Sequence, residues 1–431
     1  MKKWLKLSGA AMGAVLLLLL ALFIAGAWYI RQPQVIEKIR LSACQAVGGD
    51  VLFSDLDLKI FKGFTLEILR VYPEPVAVPG TEFFEVKSID LRYIPWKFLR
   101  RTIEFKNVIF QEPHLILRQA HDGSWRMPRM DLQQITQQLT FETGLLRFII
   151  LMDDFDLRNG RISVLSDNGK NIFEATGVQM NGNLALDPGT ANADGSLYVR
   201  QMLLARTLQI DSFSTPLKLT HRTVSLPSLS ADIHGGRLGG NFQADLAAQK
   251  PSFQTSLHLT SVQLSSLLRE FKAREGLLEG QLDVKAQLGG TLREPQLLQG
   301  TGEFEIRNAR LSGLGVSGTV AELLHIPELA TQTFPKVSGT FKVAEEQLTF
   351  YSLEAVSPRM QATATGKIGL ERAIDLDVKL ALSPDMMASL PADIRKRLNV
   401  RPDGFGTVTF KVEGTLDAPR SNLAQKITGK P

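Results

Sequence analysis

Cysteine is almost missing from this 431-residue chain, in which Cys44 stands alone. An internal disulfide and a cysteine-based metal cage are therefore both excluded. Cys44 itself reads as a small apolar residue, not as a reactive thiol. Histidine is scarce as well. His114, His121, His221, His234, His258 and His325 are scattered, and no pair has the helical or histidine–carboxylate spacing of a zinc site. No G-x-S-x-G elbow nominates a nucleophile. The run Gly235-Gly236-Arg237-Leu238-Gly239-Gly240 has neither the dinucleotide nor the Walker spacing of a phosphate loop, and reads as a hairpin turn. Asp153, Asp154 and Asp156 form a carboxylate cluster, yet without the glycine and terminal glutamate of a calcium loop they read as a solvated turn. Together these absences predict a protein that is not an enzyme and uses no cofactor or metal.

An excess of one charge is also absent from the body. Of 49 basic residues, Lys2, Lys3 and Lys6 precede an apolar run, which leaves 46 against 44 acidic residues. The signs alternate along the chain, with no basic stripe, so nucleic acid is not expected as a partner. What remains is the composition of folded protein, 44% hydrophobic and 22% charged.

One long hydrophobic run is present. Leu7 to Ile30 holds 24 consecutive uncharged residues, roughly 36 Å as a helix against a bilayer core of about 30 Å. Leu7, Leu16, Leu20 and Phe23 would face lipid, and Trp28 and Tyr29, with Trp4 at the other end, stand at interfacial positions. A cleaved signal peptide is the competing reading, because Ala25-Gly26-Ala27 resembles a cleavage site. The run exceeds a signal core of about 7–15 residues, which favours a retained anchor. Lys2, Lys3 and Lys6 are nearly balanced by Arg31, Lys38 and Arg40. The short basic start still favours a cytoplasmic N-terminus, with the large domain across the membrane, in a bacterium the periplasm.

Gln34 to Val47 has helical spacing and a Gly48-Gly49 stop. Beyond it the period falls to two. Ser88–Tyr93 alternates cleanly, and Thr102–Phe110 slips phase at Lys106-Asn107, which predicts a bulge. In the C-terminal half, Leu282 and Val284, Phe304 and Ile306, Phe341 and Val343, Ile374, Leu376 and Val378, and Phe410 alternate with polar neighbours. Gly280, Gly302, Gly339, Gly366 and Gly406 each precede a polar and then an apolar residue, and read as strand openings in a loose repeat. Gly289-Gly290, Asp187-Pro188-Gly189 and Asp403-Gly404 read as turns. Helices are expected at Ser261–Leu278 and at Ser383–Leu398, the latter broken or kinked at Pro391, with weaker signals at Met130–Leu139 and Thr319–His325. Some twenty strands are expected in all.

A one-faced sheet must put its apolar side somewhere. Stacked sandwiches would bury it in protein, whereas a curved open sheet leaves a trough that another apolar molecule must fill. The ten apolar residues from Leu282 to Phe410 named above are the candidate lining, with ordinary protein core as the plain alternative. Met386 and Met387 are either a lid over the trough or simple helix packing.

The order of elements also carries a resemblance. A short basic tail, an apolar span and an amphipathic helix lead into Leu52–Ile60, Ile89–Phe98, Ile103–Phe110 and Pro113–Arg118, closing on Asp122-Gly123-Ser124-Trp125. This resembles the N-terminal region of the AsmA family. Ser230–Leu246, Val262–Leu278, Gly280–Leu288, Gly302–Leu311, Val337–Leu353, Gly366–Leu382 and Gly414–Pro419 are similar to the family's C-terminal region. The resemblance implies a bacterial inner-membrane protein, single-pass, with its body in the periplasm. It implies an elongated, curved antiparallel β-groove with a few short helices, related to bridge-like, chorein-type lipid-transfer proteins. Such a groove carries phospholipid acyl chains in support of the outer membrane, with membrane lipids and an envelope protein as partners. The expected organisation is an anchor at 1–31, an N-terminal helix plus β region at 32–139, a middle β region at 140–260, and a C-terminal β region at 261–431. A scaffold for outer-membrane protein assembly is the alternative function.

Overall fold

The computed structural model describes residues 32–59, 63–93, 102–128, 140–143, 146–187, 190–220, 222–246, 250–270, 278–291, 294–312, 331–369, 373–415 and 418–428. The expected span Leu7–Ile30 and the weak helical segments Met130–Leu139 and Thr319–His325 lie outside them. Among the described residues no helix is long and apolar enough to cross a membrane. The protein is mostly β, with 69% of it in strands and few helices. It divides into two compact units, up to Leu197 and from Tyr198.

The first unit opens with α1 (Pro33–Val47), β1 (Asp50–Leu52), β2 (Asp55–Lys59), β3 (Gly63–Tyr72) and β4 (Phe84–Tyr93). It continues with β5 (Thr102–Gln111), β6 (His114–Gln119), β7 (Trp125–Arg126), β8 (Thr140–Thr143), β9 (Leu146–Leu165) and β10 (Asn171–Asp187). Helix α1 ends where Gly48 takes a left-handed conformation and donates its N–H to the Cys44 carbonyl. Its Ala43, Cys44 and Val47 pack on Val51, Val71 and Phe83. Burial pushes the Cys44 thiol up, and its sulfur accepts the Val51 N–H at 3.3 Å, so it is a packing residue here.

The expected bulge is present: Arg92 pairs Asn107 and Tyr93 pairs Phe105, leaving Lys106 over. The expectation of antiparallel pairing throughout needs correction in this unit. β5 and β6 both run parallel to β9. They form one line interrupted at Glu112-Pro113, where the proline has no N–H to give. The long return between Gln119 and Leu146 provides the crossover that a parallel pairing requires. The cluster of Asp153, Asp154 and Asp156, expected in a turn, lies instead inside β9, and Asp156 pairs with Arg158 at 2.6 Å. Asp122-Gly123-Ser124-Trp125 does make a turn. The Asp122 carboxylate accepts the Ser124 N–H at 2.9 Å and its hydroxyl at 2.6 Å, returning β7 against Arg118 and Gln119.

In the second unit β11 (Thr190–Leu204), whose first residues precede the division, is followed by β12 (Leu208–Thr220), β13 (Thr223–Ile233) and β14 (Gly236–Asp245). Then come β15 (Ser252–Gln263), α2 (Leu264–Glu270), β16 (Leu278–Thr291), β17 (Glu294–Ser312), β18 (Thr331–Ala344) and β19 (Gln347–Val356). The last elements are β20 (Met360–Gly369), β21 (Ala373–Leu382), α3 (Pro384–Ser389), α4 (Ala392–Arg395), β22 (Asn399–Val400), β23 (Gly406–Thr415), β24 (Ala418–Ser421) and α5 (Leu423–Thr428). From β12 to β21 every strand pairs antiparallel with the next, and β23 then adds to β21. Sequential hairpins of this kind need only short connections.

Several sequence expectations change here. The helix expected at Ser261–Leu278 covers only Leu264–Glu270 among the described residues, because β15 runs on to Gln263. Its strand kinks at Ser261, where φ is 56° and the N–H is donated to Asp283 at 2.6 Å. The helix at Ser383–Leu398 splits into α3 and α4 at Leu390-Pro391, as proline dictates. Gly289-Gly290 is not a turn but part of β16, opposite Gln254 and Phe253. Of the five repeat glycines only Gly406 opens a strand, and the others lie within β16, β17, β18 and β20. Asp403-Gly404 is a turn, with the Asp403 carboxylate accepting the Phe405 N–H at 3.2 Å.

Candidate functional site

The register places all ten candidate residues on one face of the second unit. Leu259, Val284, Phe304, Gly339, Leu353, Ala364, Val378 and Phe410 pair one to the next across eight strands. A parallel row runs Leu257, Ala286, Gly302, Phe341, Phe350, Gly366, Leu376 and Val412. On either side lie Leu282, Ile306, Val337, Ala355, Ala362, Leu380 and Val408, and Leu288, Gly300, Val343, Leu348, Ile368 and Ile374. Side chains repeat every second residue, so the four rows span about 20 Å along the strands and about 34 Å across them.

One margin of this face is closed by helices. Met386 and Met387 of α3, Leu390 at the break after it, Ile394 of α4, and Leu423 and Ile427 of α5 join Ile306, Leu380, Val408, Phe410 and Val412 in one buried core. Met387 sits on Gly406, where an added Cβ would stand 2.1 Å from its sulfur. Met386 and Met387 are therefore helix packing. Ile306 and Phe410 belong to this core, with Leu282, Phe304, Leu376 and Val378 against it. Ile374 is buried at 8% exposure.

The middle of the face is different. Phe341, Val343, Leu348, Phe350 and Ile368 are only half-buried and are not part of that core. Phe304 lies 6.5 Å from Phe341 and 6.0 Å, edge-on, from Phe350. Phe350, Leu348 and Ile368, and the glycines facing the rings, extend the candidate set. Their period-two pattern was visible in sequence, but their partners across the sheet were not.

The opposite face is polar and largely self-compensated. Lys285 pairs with Glu303 at 3.1 Å, Arg307 with Asp283 at 2.8 Å and Lys336 with Glu305 at 2.6 Å. Depressions of about 820 and 750 Å³ across β15–β19 are lined chiefly by side chains of this face. The three ion pairs line the larger depression.

The histidines are dispersed. His234 pairs with Glu270 of α2 at 3.0 Å, and His121 with Asp167 at 3.2 Å. His114 contacts the Ser163 hydroxyl at 2.9 Å, and burial, aided by Arg161, holds it below the ordinary histidine value. His258 is exposed beside Gly239, while His221 and His325 lie outside the described residues. Among the described residues no three histidine, cysteine or acidic side chains gather as a metal site. No protein family, curated protein or solved structure matches this chain.

Proposed function

We propose that this is a membrane-anchored lipid-binding and lipid-transfer protein, in which acyl chains lie on the apolar face of the second unit. The observation that carries the reading is the half-buried middle of that face, a continuous apolar surface without a polar side chain in its central rows. Water on such a surface is unfavourable by about 25 cal/mol per Å², and an acyl chain relieves it at about 0.8 kcal/mol per methylene. The contacts are non-directional, so a chain can shift from strand to strand while its headgroup stays in water. The uncharged run Leu7–Ile30 puts a lipid source beside the domain. The AsmA resemblance supports an inner-membrane anchor, a periplasmic body and a role in outer-membrane lipid homeostasis.

The test is native mass spectrometry with lipid extraction on the full chain in detergent. Bound phospholipid in the wild type, lost in Phe341→Glu and Val343→Glu with circular dichroism unchanged, is the expected result. A wild type that is monodisperse and free of lipid overturns the reading and leaves the assembly-scaffold alternative in the lead.

A further inference from the structure

We infer that the Phe–Gly pairs of β17 and β18 make the apolar face selective for unbranched acyl chains, a specificity element that rests on the lipid-carrier reading above. Phe304 stands opposite Gly339, and Phe341 opposite Gly302, so each strand contributes one ring and one glycine. A Cβ on Gly302 would be 2.4 Å from Cζ of Phe341, and one on Gly339 would be 2.7 Å from Cε1 of Phe304. Neither glycine adopts the left-handed conformation. What glycine supplies here is room for the ring to lie down against the neighbouring backbone.

With Phe350 edge-on to Phe304, three rings form a floor across β17, β18 and β19. Seated on the main chain at Gly339 and Gly302, the Phe304 and Phe341 rings cannot sink further. A linear chain rests on such a floor along its length. A chain carrying methyl branches is thicker at each branch and is held off the rings, losing dispersion contact on both sides of the branch. Leucine at the same positions would leave the space above the glycines open and would yield to a branch.

The experiment offers full-length protein equimolar dioleoyl and diphytanoyl phosphatidylcholine in mixed micelles, then quantifies the lipids that remain bound after repurification. The headgroup is the same, so only chain shape is compared. The wild type should favour the dioleoyl lipid by about fourfold for each branch left without contact. In F304L/F341L the bound ratio should fall towards the ratio supplied. Phe350→Leu, a milder change on the third strand, should move the ratio the same way if the double variant does not fold. A wild type that binds both lipids in the supplied ratio, or variants that keep the wild-type preference, overturns the inference while the carrier reading stands. Binding of neither lipid by the wild type overturns both.

Discussion

Two parts of one sheet face share a sequence pattern and differ in what lies on them. Along the margin, Ile306, Leu380, Val408 and Phe410 meet the helices α3, α4 and α5 and become ordinary core. On β18 and β19, between those strands in the sheet, Val343, Leu348 and Phe350 remain half-buried. The chemistry of the strands is the same in both places, so cover, not composition, separates core from candidate binding surface.

Charge substitution separates the two parts most sharply. Phe410→Glu puts an unpaired carboxylate into the core and should destabilise by about 3 kcal/mol or more, up to loss of folding. Phe341→Glu should unfold at nearly the wild-type denaturant concentration, as followed by circular dichroism. Equal loss in both would show that the middle is buried core too. Truncation gives a smaller version of the same contrast. Leu382, 1% exposed, should lose about 2–5 kcal/mol on replacement by alanine. Val343→Ala should lose less than about 1.5 kcal/mol, and the two denaturation curves can be compared directly.

Overpacking probes the aromatic floor. Gly302→Ala would bring a methyl to 2.7 Å from the Lys285 carbonyl as well as against the Phe341 ring, and should destabilise by about 1–3 kcal/mol. A neutral result would mean that the ring and the strand can both shift. The smallest effect is expected on the polar face. Lys285 and Glu303 are 76% and 60% exposed, so Lys285→Ala should change stability by no more than about 1 kcal/mol, falling further in salt. A larger loss in thermal unfolding would mean that the polar face is a coupled network.

Much of this was legible beforehand. Alternation identified Leu282, Val284, Phe304 and the others as one apolar set, because the side-chain period in a strand is two whatever the partner strand. Gly48 ended α1, Pro391 broke the late helix, and Lys106 was the bulge, each a local effect of one residue's backbone chemistry. The failures were non-local. Ser261 kinks β15 through Asp283 on the next strand, which no window around Ser261 contains. Gly302 and Gly339 looked like strand openings because the rings that need them are on the facing strand.

By itself, then, the sequence determined the β character, the two-sidedness of the strands and the residues on each side, since these depend on local period and turn chemistry. Tertiary structure alone decided that β5 and β6 run parallel to β9, which rings lie on which glycines, and where helices cover the apolar face. Those outcomes depend on register and on packing between segments far apart in the chain, and hydrophobic burial is indifferent to sequence order.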